Sequence, residues 1–259
     1  MSKKIQKYID RQPQQPEGFR YRTPILVSDS KGFTLRNFCK DRHFPIESWC
    51  QSGATTSQLV DIIEERLPKA IKRHHSIIIY LWAGTCDLTY KEGRYIKLRH
   101  KSFKSVNNIL EQYRRAIKII ESYTNADIKF VDCPILSISW WNKFKGHRDP
   151  DSFKNSDSLV TKQVKYLNQK IWSLNHKLNK DSVKISKYFF RGRKRQGGNT
   201  RKSVTLSINN KDGVHPGKLL SLAITKHLLL DTYKECYHIV QESEFIQIRV
   251  AEEELLSLF

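Results

Sequence analysis

No stretch of the 259-residue chain runs 18 apolar residues without a break, so a membrane-spanning helix is not expected. The opening Met1-Ser2-Lys3-Lys4-Ile5 lacks the apolar block of a secretory signal. Cysteine is scarce and odd in number, five residues without the short spacing of metal ligands. Cys39, Cys50 and Cys133 sit in or beside apolar segments and read as packed thiols. These absences point to free thiols in a reducing compartment, and so to an intracellular protein, cytoplasmic or nuclear. No histidine pair or cysteine cluster has metal-site spacing, and neither a metal nor another cofactor is expected. There is no internal repeat, and nothing in the sequence indicates an oligomeric state. Acid is also in short supply: 26 Asp and Glu face 46 Lys and Arg, a net charge of +20. Residues 241–259 carry five glutamates and one arginine, a net −4, which leaves +24 on the rest. A field of that size favours polyanionic partners or simply keeps the chain soluble, and it says nothing about fold.

Residues 1–23 are polar, end against Pro24 and contain Pro13 and Pro16, so they read as a flexible basic arm. Ile25 to Ser28 is a first strand, and Phe33, Leu35 and Phe38 begin a short helix or extended turn. Ile46 to Cys50 is a second strand. Thr55 or Thr56 can cap the helix that follows, whose face is Leu59, Ile62, Ile63 and Leu67, with Pro68 near its end. Ser76 to Trp82 is almost continuously apolar, as a strand buried on both faces must be. A basic loop spans 91–104. A helix over 106–123 and a fourth strand over 128–131 come next. Residues 139–157 read as loop, 160–178 as helix, 183–186 as a short strand and 217–233 as helix. Strands alternating with helices at this spacing predict a mainly parallel sheet covered on both faces.

Ile25-Leu26-Val27-Ser28-Asp29-Ser30-Lys31-Gly32 is the segment the chemistry turns on: an apolar strand feeding a polar turn and then a helix. Open α/β sheets present their reactive groups at such carboxyl strand ends. Ser30 is the candidate nucleophile. Asp212 and His215 lie three apart in a turn just before a helix that Pro216 is suited to start. That spacing lets the carboxylate orient the imidazole, so that its other nitrogen can accept a serine proton. Gly53 follows the second strand, where a backbone N–H can approach a reacting oxygen with no Cβ in the way. Gly84 follows the third.

These residues resemble the blocks of the SGNH (GDSL-type) hydrolases and esterases. Val27-Ser28-Asp29-Ser30 is similar to the family's Gly-Asp-Ser block, with Ser28 in place of the glycine, a change that crowds the turn. Ser30 matches the nucleophile, and Gly53 matches the second-block glycine whose N–H lines the oxyanion hole. Gly84-Thr85-Cys86-Asp87 resembles Gly-x-Asn-Asp, with Cys86 standing where the family has asparagine. Asp212-Gly213-Val214-His215-Pro216 resembles the Asp-x-x-His block. The resemblance runs over 24–235 and implies a three-layer α/β/α flavodoxin-like fold. A basic insertion at 187–202 would interrupt it, and 236–259 would be an acidic appendage.

The implied activity is hydrolysis of a small acyl or acetyl ester. Ser30, His215 and Asp212 are the catalytic residues, and Ser30, Gly53 and Cys86 form the oxyanion hole. A thiol is a poorer and shorter donor than an amide, so Cys86 makes that hole degenerate. Cys86 is also a second candidate nucleophile, and Asp87 reads as a structural acceptor. Trp140 and Trp141, after the fourth strand, are candidate walls of the substrate pocket. The alternative class is a weakly catalytic or inactive domain of the same fold that binds RNA or single-stranded nucleic acid. Some SGNH-like domains bind RNA through basic surfaces, and others occur in the first open reading frame of non-long-terminal-repeat retroelements. Arg191, Arg193, Lys194, Arg195, Arg201 and Lys202, beside Tyr188, Phe189 and Phe190, are the candidate contacts for phosphates and bases. Arg193-Lys194-Arg195 also reads as part of a nuclear import signal.

Overall fold

The computed structural model describes residues 2–11, 18–39, 46–189 and 212–238. In chain order the elements are α1 (Ser2–Asp10), β1 (Phe19–Arg20), β2 (Thr23–Ser28), α2 (Ser30–Cys39), β3 (Glu47–Cys50), α3 (Thr56–His74), β4 (Ile77–Trp82) and α4 (Thr85–Leu88). There follow β5 (Thr89–Glu92), β6 (Tyr95–Leu98), α5 (Lys104–Glu121), β7 (Ala126–Phe130), α6 (Ile138–Phe144), α7 (Lys154–Lys177), α8 (Lys218–Cys236) and β8 (Tyr237–His238).

Four parallel strands in the order β3-β2-β4-β7 form the sheet. Every residue of β2 and β4 is buried, which their unbroken apolar runs require of central parallel strands. Val27 lies opposite both Trp49 and Leu81, so the carboxyl ends of β2, β3 and β4 finish side by side. Helices α3, α5 and α7 pack together, α3 on β2 and β4 and the other two on β7, while α2, α8 and α1 pack together with α8 on β2. Cross-strand neighbours Tyr80 and Lys129 bond Asp231 of α8, whereas Phe130 stacks on Tyr113 of α5 at 4.5 Å. Successive residues of β7 thus meet opposite helix layers, the three-layer α/β/α arrangement expected from the pattern. No helix among the described residues is long and apolar enough to cross a membrane.

Thr55, and not Thr56, caps α3: its side chain takes the Gln58 N–H while the Gln58 side chain takes the Thr55 N–H. The helix passes through Pro68 to His74, because Leu67 and Ala70 bury on either side of the one lost backbone bond.

Several segments differ from expectation. Residues 2–10 form a helix packed on α8, not a flexible arm: Ile5 buries, and Lys226 Nζ donates to Tyr8 O at 2.5 Å. Phe19 and Arg20 pair antiparallel with His238 and Tyr237, so the first two residues past 236 belong to the folded unit. The basic loop contains a hairpin, β5–β6, turning at Gly93 with φ +60°. Residues 138–144 are helical because Asp157 accepts the Ile138 N–H and the Ser137 hydroxyl at its start. Asn142 of that helix exchanges two 2.9 Å bonds with the backbone of Ile96, standing in for a neighbouring strand. Val183 makes a single bridge to Val131. Asp132 then captures the Ser186 N–H and hydroxyl and turns the chain into a 3-10 helix over Ile185–Phe189.

Candidate active site

Strand β2 delivers Ser28 and Asp29 to the start of α2, whose first residue is Ser30. Its N–H is one of those a helix leaves without an intrahelical acceptor. Ser28 is buried, and its hydroxyl donates to Trp82 O at 3.0 Å. The crowding expected of this serine is absorbed at Gly32. A Cβ there would lie 2.8 Å from Ser28 Cβ and closer still to Cys50 Sγ. The missing glycine of one position is thus matched by a glycine four residues on.

His215 comes to the same place from the far end of the chain. Its Nε2 lies 3.1 Å from Ser30 Oγ, inside the roughly 2.6–3.2 Å reach of a general base. Its Nδ1 lies 2.9 Å from Asp212 Oδ2. Asp212 Oδ1 also accepts the N–H groups of Val214 at 2.9 Å and His215 at 2.8 Å, so one carboxylate shapes the turn and holds the ring. Burial works against the Asp212 charge, but these bonds outweigh it and hold the carboxyl below its usual range. With Asp212 ionised, the bond network assigns the proton to Nδ1 and leaves Nε2 free to accept from Ser30.

Gly213, at φ +73°, makes the turn possible. A Cβ there would lie 2.6 Å from Trp140 Cβ and 3.1 Å from Ser137 O, and Gly213 O accepts the Ser137 N–H at 2.8 Å. Trp140 therefore backs the His215 turn and is not among the residues lining the cleft, contrary to expectation. Trp141 does line it, with its ring 6.1 Å from that of His215 and its indole N–H on Arg94 O.

Gly53 faces the same cleft, and its backbone conformation also calls for glycine. A Cβ would meet nothing within 4 Å, whereas φ is +73°, a conformation that L side chains resist. Asp87 fixes this turn by capping α3: it takes the Thr56 N–H at 3.0 and 3.1 Å and the Thr56 hydroxyl at 2.8 Å.

Cys86 lines the cleft while its Sγ donates to Asp29 Oδ2 at 3.7 Å. Burial and the Asp29 charge push the thiol up to about 12, so it stays protonated at neutral pH and is no nucleophile. The same Asp29 carboxylate pairs with the ammonium of Lys31 and accepts the Lys31 N–H at 3.0 Å. Burial alone would lower Lys31; the attraction of Asp29 carries it above the ordinary lysine range. Lys31 is therefore a fixed cation beneath the nucleophile and not a base.

The cleft has a volume of about 460 Å³. Ser30 and His215 open into it beside Gly53, with the β5–β6 hairpin opposite. No group of three or more His, Cys, Asp or Glu among the described residues could hold a metal ion. Arg191, Arg193, Lys194, Arg195, Arg201 and Lys202 lie outside the described residues.

No family model matches the sequence, and no curated protein matches it. Solved structures do. A protein from Bacteroides fragilis described as a candidate acylhydrolase aligns with 90% of this chain and 96% of its own, with TM-score 0.53 and 14% identity. A GDSL-like lipase from Bacteroides thetaiotaomicron aligns with 90% of this chain and 97% of its own, with TM-score 0.51 and 16% identity. The fold is that of the GDSL-type hydrolases. Within this GDSL-type fold, the sheet brings Ser30, Gly53, Cys86, Asp212 and His215 to one cleft.

Sequence reasoning missed Lys31, the hairpin wall and Arg99. The first had a signal: a lysine directly after the candidate nucleophile, in the turn between an apolar strand and a helix. The other two lay in a stretch whose charge hid its alternation.

Proposed function

We propose that the protein is a serine hydrolase of small acyl or acetyl esters. Ser30 Oγ attacks the ester carbonyl carbon while His215 Nε2 takes the hydroxyl proton, and Asp212 stabilises the resulting imidazolium. The N–H groups of Ser30 and Gly53 receive the oxyanion. As the tetrahedral intermediate collapses, His215 returns the proton to the leaving alkoxide. Water then enters, gives a proton to His215 and attacks the acyl-serine, releasing the acid and restoring Ser30.

Cys86 contributes no strong donor in this scheme, since its thiol is turned onto Asp29. Two backbone donors remain, which makes for slower turnover than three would support. The reading is carried by one observation: the 3.1 Å approach of Ser30 Oγ to His215 Nε2, with Asp212 2.9 Å behind, at the edge of an open cleft. Its test is hydrolysis of 4-nitrophenyl acetate by the parent, Ser30→Ala and His215→Ala. Each substitution is expected to lower kcat by about 10³-fold or more. Retention of a tenth of the parent rate by Ser30→Ala would refute it.

A further inference from the structure

The charge around the cleft is one-sided. Lys31, Lys91 and Arg99 line it, and no aspartate or glutamate among the described residues does. Lys31 is neutralised by Asp29 within the floor. Of the other two, Arg99 feels the charge of the Asp87 carboxylate without forming an ion pair with it, and Lys91 has no such partner among the described residues. Arg99 spends Nε on Asp87 O at 3.0 Å and Nη2 on Thr89 O at 2.9 Å and Cys86 O at 3.4 Å. These are carbonyl acceptors, so the guanidinium is held in place without being paired. Among the described residues, its Nη1 has no protein acceptor and no carboxylate forms an ion pair with Arg99 or Lys91. Some exposed cations elsewhere are paired: Arg73 on Glu47, Arg115 on Asp61 and Glu64, and Lys154 on Asp151.

The hairpin explains how this arises. Strand alternation sorts its residues onto two faces. Lys91 lies opposite Ile96 in the register and shares a face with Thr89, and all three line the cleft. The hairpin's one acid, Glu92, falls on the other face and pairs there with Lys97.

We propose that the cleft selects carboxylic esters that also carry an anionic group, a carboxylate or a phosphate, held by Lys91 and Arg99. Arg99 presents its unspent Nη1 as a fixed charged donor to one oxygen of such a group, and Lys91 adds a mobile charge at the rim. Ile96, Leu136 and Trp141 supply the apolar wall for the remainder of the molecule. This specificity rests on the serine-hydrolase reading, and the experiment separates the two.

Three acetate esters are compared: 4-nitrophenyl acetate, 5-acetoxy-2-nitrobenzoate, and the analogue with a phosphate in place of that carboxylate. Each kcat/KM is divided by the ester's hydroxide-catalysed rate constant to remove intrinsic reactivity. The parent is expected to favour one or both anionic esters about tenfold, and which of them leads tells carboxylate from phosphate. In Lys91→Gln that preference falls roughly fivefold, as loss of one exposed ion pair allows, and in Lys91→Glu it disappears. Raising the salt to about 0.5 M erodes it in the parent, because screening acts on exposed charges. A parent with no preference, or a preference unchanged in Lys91→Glu, overturns the proposal. Where no ester is cleaved, equilibrium dialysis of the Ser30→Ala protein with 5-hydroxy-2-nitrobenzoate decides. Binding that Lys91→Glu abolishes keeps the anion site and discards hydrolysis; no binding discards both.

Discussion

Replacing Lys31 by methionine isolates the buried charge beneath Ser30. The side chains of Lys31 and Asp29 are 2% and 0% exposed, so neither has water to fall back on. Once the ammonium is gone, Asp29 keeps only the Lys31 N–H and the Cys86 thiol as donors. Breaking a buried pair from one side costs about 3–5 kcal/mol, since the remaining charge is left uncompensated. For a domain whose total stability is about 5–15 kcal/mol, that is a large share. With a urea dependence of about 2–3 kcal/mol/M, the unfolding midpoint should move down by about 1.5 M. The double variant Asp29→Asn/Lys31→Met should recover most of the loss, because no charge remains and the asparagine carbonyl still accepts the backbone N–H, its amide nitrogen replacing only the oxygen that takes the weak thiol bond. Lys31 is raised above its ordinary value, so the pair's contribution is fully present below the unfolded lysine pKa of about 10.4 and is lost as pH rises through the folded value. The gap between parent and Lys31→Met should therefore hold from neutral pH to about pH 10 and close above it. Urea titrations of the three proteins test this. A Lys31→Met midpoint within about 0.3 M of the parent, or a double variant as unstable as the single, would refute the reasoning.

Two substitutions test the site directly. Cys86→Asn should raise kcat on 4-nitrophenyl acetate by about tenfold, less than the full 10²–10³ of an oxyanion donor because Asp29 competes for the new amide; an unchanged kcat would show that position 86 does not face the oxyanion. Gly213→Ala forces a side chain into φ +73° and against Trp140, at about 1–2 kcal/mol from the backbone alone. Its kcat should fall well beyond the change in unfolding midpoint, as His215 is displaced, and parallel small losses of both would contradict that role for the turn.

The sheet was legible because burial leaves a plain trace: Ile77 to Trp82 has no polar residue to interrupt it, and a strand covered on both faces needs none. Leu59, Ile63 and Leu67 marked α3 for the same reason, one face against a core. Ser30, Asp212 and His215 were legible as strand-end and loop residues, and the structure brings the three together. The hairpin was not, since Tyr90, Glu92, Tyr95 and Lys97 face away from the core and give the alternation no apolar contrast. Helix α6 was hidden too. Its support comes from Asp157 and from Asn142 pairing with Ile96, contacts made across the fold that local composition does not record. The proline-rich run drew attention away from Ile5, whose burial against α8 makes 2–10 a helix. Gly53 and Gly32 were needed, one for its φ and the other for the room it gives Ser28, and backbone shape of that kind is not written in residue type.

The central claim is that His215 activates Ser30. A fluorophosphonate reacts only with an activated hydroxyl, so the direct measurement is its stoichiometry on the intact protein, with the labelled peptide located by mass spectrometry. One adduct per chain is expected, on Ser30, with no labelling of Ser30→Ala and a rate at least about 10³-fold lower in His215→Ala. An unlabelled parent, an adduct on any other residue, or a His215→Ala protein that labels as fast as the parent would contradict the account.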